Sequence, residues 1–144
     1  MEISDISIGA VAYRRVSVAL EDILAFAKLT GDRNPLHTDN DFCKTTPFGT
    51  ITAHGQLLGS YVVGLIGSEF PGPGWFCLGV STEFVRPVFP NDELRVTVRA
   101  KQKLEILKVL VLEGLIENQK NEVVLRSVIK AKYLFDDSRV VDRR

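Results

Sequence analysis

The sequence is short of several residue types, and each shortage excludes something. Histidine and cysteine occur twice each in 144 residues, and tryptophan once. The two cysteines, Cys43 and Cys77, stand far apart and form no CxxC pair. Neither a disulfide framework nor a thiolate zinc site is expected from them, and they read as reduced thiols. An excess of either charge is also missing, because eighteen basic residues balance eighteen acidic ones. No basic face therefore points to nucleic acid or to an anionic membrane surface. The most apolar run, Gly55–Phe70, is shorter than the ~20 residues that a membrane span needs. It also carries Gly55, Gly59, Gly64 and Gly67, so a buried helix is the expected form. The opening "MEISDISIGAVA" has no basic stretch ahead of an apolar core, and no signal peptide is predicted. These absences together imply a cytoplasmic protein with no nucleic acid and no membrane among its partners.

Hydrophobic residues make up 45% and charged residues 25%, the balance of an ordinary globular domain. The length suits one domain, placed at 1–135 and followed by a charged tail, "DDSRVVDRR", at 136–144. Val11–Val16 has short strand character. Ser17 is a candidate cap for a helix over Leu20–Thr30, in which Leu20, Ile23, Leu24 and Ala27 recur at helical spacing. Gly31 falls where a helix C-cap glycine belongs. Residues 31–53 are expected to be irregular, with Pro35 and Pro47 disfavouring helix just ahead of them. Residues 54–70 are apolar on nearly every side, which predicts a buried helix, and "PGPG" at 71–74 ends it. Its glycines would let strands or another helix come close.

The second half reads as strands. Trp75–Val85 is rich in aromatic and β-branched residues. Leu94, Val96, Val98 and Ala100 alternate with Arg95, Thr97 and Arg99 at the period of a half-buried strand. Ile106–Ile116 predicts a further strand, 117–121 a turn, and Val123–Tyr133 a last strand with Arg126, Lys130 and Lys132 on its solvated face. Consecutive strands without intervening helices favour antiparallel pairing. The expected architecture is α+β: one curved antiparallel sheet wrapped around a long central apolar helix.

The segment that stands out is "LTGDRNPLHTDNDFCKTTPFGTITAHGQLL", residues 29–58, which holds both histidines. A loop this long inside a compact domain is uncommon and usually functional. Asp32 and His37 are five positions apart, so a regular helix would point them about 140° apart. A bent chain can instead bring the carboxylate and the imidazole to one point. Such a pair can deprotonate a water and return a proton to carbon, because histidine serves in either protonation state near neutral pH. His54–Gly55 opens the buried helix, whose first N–H groups lack intrahelical partners and carry positive character. A carbonyl placed there would be polarised as negative charge develops on its oxygen. Taken singly, Asp32, Asn34 and Pro35 are ordinary turn residues, and His54 reads first as a helix-start residue. A metal site of His37, Asp39 and His54 is available by ligand type, but its spacing matches no familiar metal motif.

With "GDRNPLHTD" at 31–39 and "FGTITAHGQLL" at 48–58, the chain resembles the hot-dog fold, and within it the MaoC-like (R)-specific enoyl-CoA hydratase family. The resemblance runs from about Leu20 to Leu134. It implies reversible syn addition of water to a trans-2-enoyl thioester, a reaction of fatty acid metabolism, and its reverse, the dehydration of a 3-hydroxyacyl thioester. It implies Asp32 and His37 as the groups that activate the water, the Gly55 N–H as the carbonyl ligand, and Asn34, Phe48, His54 and Tyr61 as substrate-binding residues. It also implies an acyl-CoA or acyl-carrier-protein substrate, no metal or redox cofactor, and a homodimer, with further association open. Two positions depart from the family pattern: Gln56 stands where members often have methionine, and Val63 where some have serine. The alternatives are a thioesterase on the same scaffold or a non-catalytic acyl-thioester-binding module. Against the thioesterase, the central helix has only Glu69, near its far end, as a carboxylate.

Overall fold

The computed structural model describes residues 1–135, so the tail expected at 136–144 lies outside the described residues. Strand β1 (Val11–Ser17) leads into helix α1 (Leu20–Thr30). Two short helices follow, α2 (Pro35–Thr38) and α3 (Asn40–Lys44), and then the long helix α4 (Gly55–Ser68). Strands β2 (Trp75–Phe84), β3 (Glu93–Leu104), β4 (Val109–Glu117) and β5 (Val123–Tyr133) complete the chain. All five strands form one antiparallel sheet in the order β1-β3-β4-β5-β2. Helix α4 touches every one of them.

The sheet's inner face follows the period of two. Leu94, Val96, Val98 and Ala100 of β3, Leu110, Leu112 and Ile116 of β4, and Leu125, Ile129 and Ala131 of β5 are all buried. They meet Leu57, Leu58, Val62, Leu65 and Ile66 of α4 in one apolar cluster. Gly114 stands in this layer because a side chain there would collide with Ser127 and Val62. Irregularities at Cys77/Gly79, Ala100/Gln102 and Ile116/Glu117 break the strand register, and such bulges bend a strand and increase its twist.

Four local expectations change. Ser17 closes β1 and caps nothing; the residue ahead of α1 is Ala19, with no side-chain cap bond. The irregular stretch contains two helical turns, because Asn34 and Asp39 each cap one and Pro35 fits the first turn, where its missing N–H costs nothing. The fourth strand begins at Val109 rather than Ile106. Residues 105–107 form a 3-10 turn, Lys108 has φ 53°, and Ile106 is left 98% exposed. Finally, α4 is not covered all round: Gln56, Ser60, Gly64, Gly67 and Ser68 form an exposed stripe. Of its four glycines only Gly55 sits under a close neighbour from another element, while Gly64 and Gly67 face open space. Gly31 does close α1, with φ 79° and its N–H donating to the Ala27 carbonyl.

No helix among the described residues is long and apolar enough to cross a membrane. Leu65 is fully buried between α4 and the sheet, so Leu65→Ala is expected to cost about 2–5 kcal/mol in urea unfolding. The exposed Arg14–Glu69 pair at 2.6 Å is the contrast: Arg14→Ala should cost under about 1 kcal/mol.

Candidate active site

The segment between α1 and α4 is held by short-range hydrogen bonds that fix where its functional groups sit. The Thr30 hydroxyl donates to the Phe26 carbonyl at 2.7 Å and accepts the Asp32 N–H at 3.3 Å. The Asp32 carboxylate accepts the Asn34 N–H at 3.3 Å, and the Asn34 side chain accepts the Leu36 N–H at 3.0 Å, starting α2. His37 therefore sits on a helical turn whose start Asn34 defines. The buried Cys43 thiol donates toward the Pro35 and Leu36 carbonyls at 3.4 Å, tying α3 to α2. Burial first, and the Asp39 carboxylate second, push that thiol's pKa up, which keeps it a neutral donor.

The chain then returns past α2. The Thr52 N–H donates to the Leu36 carbonyl at 2.9 Å, and the Ala53 N–H to the Val88 carbonyl at 2.8 Å. The Thr52 carbonyl lies 2.7 Å from His37 Nδ1. A carbonyl can only accept, so His37 carries a proton on Nδ1, and its Nε2 has no hydrogen-bond partner among the described residues. His54, ahead of α4, makes no cap bond. Its imidazole turns back, and Nε2–H donates to the Asp32 carbonyl at 3.0 Å. The two imidazoles stack with centroids 3.8 Å apart and planes at 27°. One polar atom each from Asp32, His37 and His54 lies within 4.8 Å of the others.

These groups open on a cavity of about 560 Å³. Asp32, His37, Phe48, His54 and Gly55 all line it, together with apolar groups such as Leu58, Val85 and Val88. A mostly apolar cavity with a few convergent polar groups is what a small-molecule site requires. The first hydrogen bonds inside α4 come from Leu57 and Leu58 to the His54 carbonyl. The N–H groups of Gly55 and Gln56 thus have no intrahelical partner, and Gly55 faces the cavity. A Cβ on Gly55 would stand 2.8 Å from the Phe84 ring, so this position lets the backbone approach closely.

Asn34 and Tyr61, read from the sequence as substrate-binding, do not line this cavity. The Asn34 side chain caps α2. Tyr61 faces a neighbouring depression of about 310 Å³, lined with it by Asp22, Leu29 and Leu57, on the far side of Phe26. Its hydroxyl is buried without a partner among the described residues, and burial, then Asp22, raise its pKa. The metal trio of His37, Asp39 and His54 does not assemble either, because Asp39 accepts the Asp41 and Phe42 N–H groups and caps α3. The carboxylate beside the histidines is Asp32.

Sequence reasoning missed Phe26, Thr30, Arg86 and Val88, all of which line the cavity. Phe26 adjoins the helical stripe that marked α1. The 85–88 segment carries no local signal, since it reaches the site only through the pairing of Ala53 with Val88.

A five-stranded antiparallel sheet around one long helix, with a carboxylate and an imidazole brought together at the helix start, defines a hot-dog domain of the hydratase and dehydratase type. The chain belongs to the MaoC like domain family, whose model matches residues 7–120. It is 39% identical over 98 residues to the (R)-specific enoyl-CoA hydratase of Aeromonas caviae, covering 68% of this chain and 73% of that protein. It is 33% identical over 98 residues to the 3-hydroxybutyryl-CoA dehydratase of Methylorubrum extorquens, again over 68% of this chain. The match spans 62% of that dehydratase, less than two thirds of its length. Among solved structures, unliganded R-hydratase PhaJ1 from Pseudomonas aeruginosa superposes with a TM-score of 0.86 at 31% identity, covering 91% of this chain and 84% of that one.

Gly55→Ala tests the helix start. Phe84 is half exposed and its ring can swing aside, so stability should fall by no more than about 1–3 kcal/mol. If the Gly55 N–H binds a substrate carbonyl, turnover should fall roughly 10²-fold, the scale for disturbing one carbonyl ligand. A folded variant with wild-type turnover would remove Gly55 from the site.

Proposed function

We propose that this chain is an (R)-specific enoyl thioester hydratase, which also runs as a 3-hydroxyacyl thioester dehydratase. The observation that carries the reading is the convergence of Asp32 and His37, with a free His37 Nε2, beside the unpartnered N–H of Gly55. The substrate's thioester oxygen accepts the Gly55 N–H. Water is held between the Asp32 carboxylate and His37 Nε2. Its oxygen bonds to C3 while the C2=C3 electron pair moves toward the thioester carbonyl. The proton that leaves the water is taken by the Asp32/His37 pair and returned to C2 from the same face, giving the (R)-3-hydroxyacyl thioester. Every proton stays within the pair and the substrate, so the step needs no oxidant or reductant. The acyl group arrives on coenzyme A or on a carrier protein, and the two free thiols suit a cytoplasmic setting. A thioesterase reading has little support: Glu69, at the far end of α4, is engaged by Arg14.

Crotonyl-CoA absorbance should fall on adding the enzyme. Asp32→Ala and His37→Ala should each lower the rate by roughly 10²–10⁴, the range for losing an acid/base group. An intact wild type that leaves crotonyl-, hexenoyl- and octenoyl-CoA unchanged would end the proposal.

The assembly follows from the sheet's edges. Strand β2 is an edge, and Phe76, Leu78, Val80 and Phe84 along it are about half exposed. Such an edge invites pairing with another strand. We propose a homodimer in which β2 meets β2 of a second copy, placing Phe84, and with it the cavity wall, beside the joint. Light scattering at micromolar concentration should give twice the chain mass, and Val80→Lys should shift it toward the monomer. A wild-type monomer would contradict the proposal.

A further inference from the structure

The hydration chemistry gives His54 no task, yet its surroundings are specific. Its exposure is 3%, the lowest among the cavity's polar side chains with Thr52 close to it. One face lies on His37 at 3.8 Å, and the Phe26 ring meets it edge to face at 5.0 Å and 60°. Its Nε2–H donates to the Asp32 carbonyl, 22 positions away in sequence. Its Nδ1 is buried and has no hydrogen-bond partner among the described residues. One ring therefore touches both members of the pair, His37 through its face and Asp32 through its main chain.

We infer that His54 is the positioning residue of the Asp32/His37 pair, an assignment whose kinetic consequence rests on the hydratase reading above. Among the described residues the His37 side chain has one hydrogen bond, from Nδ1 to Thr52. A ring held at one atom can still turn about that bond, and the stack against His54 removes this freedom. Asp32 is exposed and follows a glycine at positive φ. Its N–H and carboxylate are held only at 3.3 Å, so the 3.0 Å bond from His54 is its shortest restraint. The Nε2–H of His54 is engaged by the Asp32 carbonyl, and its ring face lies on His37. It presents an aromatic face to His37 when His37 takes up the water's proton. Restraint at both members matters because a misplacement of about 1 Å can cost roughly 10²-fold in rate.

Two variants separate the contacts. His54→Phe keeps a stacking ring and loses the donor; His54→Gln keeps an amide N–H near the Nε2 position and loses the ring. Both are compared with the wild type by thermal melting, by crotonyl-CoA kinetics, and by long-range ¹H–¹⁵N spectra of the imidazoles. The chain has two histidines, so the wild type gives two ring systems and each variant one. Expected are a wild-type His37 in the Nδ1–H form and His54 in the Nε2–H form. The His37 signals should become tautomer-averaged in His54→Gln, and kcat should fall at least about 10-fold in both variants with KM within about twofold, the pattern of a lost transition-state arrangement. Wild-type kcat in both folded variants would overturn the inference, as would a His37 spectrum unchanged in His54→Gln. If neither variant folds, the wild-type spectrum decides: the opposite tautomer on either ring overturns it. A wild type that hydrates no enoyl-CoA would defeat the hydratase reading alone, and the spectra would still test the positioning.

Discussion

Leu57, Leu58, Val62, Leu65 and Ile66 bury one side of α4 against the sheet, and that burial determines where the helix begins. The start of α4 is where backbone N–H groups are left without partners, and it is also where the chain arrives from α2. Had α4 docked one turn further along the sheet, Gly55 would no longer lie under Phe84, and the cavity would not open on these N–H groups. Apolar packing thus places the polar chemistry, with a force that has no direction of its own but acts here on a rigid helix.

Around that helix start the site is built largely on main-chain carbonyls. The Thr52 carbonyl fixes the His37 tautomer, and the Asp32 carbonyl fixes that of His54. A carbonyl only accepts, so the ring nitrogen that faces it carries a proton. Asn34 and Asp39 act one step further out, each starting a short helix. Their side chains are polar and close to the site, yet they shape the backbone that presents His37.

Much of the fold was legible in the sequence because its signals are local. The period of two in β3 and β5, the helical stripe of α1 and the glycine after it all depend on neighbours within a few residues. The glycines of α4 misled in part: strands or another helix were expected to come close at them, whereas three of the four have no tight contact from another element. Tyr61 misled for a related reason. Nothing in its own sequence neighbourhood tells which way α4 is rotated, and that rotation puts it beside Asp22 rather than in the cavity.

By itself, the sequence determined that a carboxylate, an imidazole and a glycine at a helix start are available in one short segment, because those residue types and their spacing are covalent facts. It also pointed to a sheet of antiparallel strands, since consecutive strands follow one another with no helix between them. Only the tertiary structure decided which carboxylate stands by the histidines, that the two imidazoles stack, and that 85–88 walls the cavity. Those relations join positions far apart in the chain. They exist only once α4 and the sheet have packed, when geometry across the core rather than along the backbone decides which groups meet.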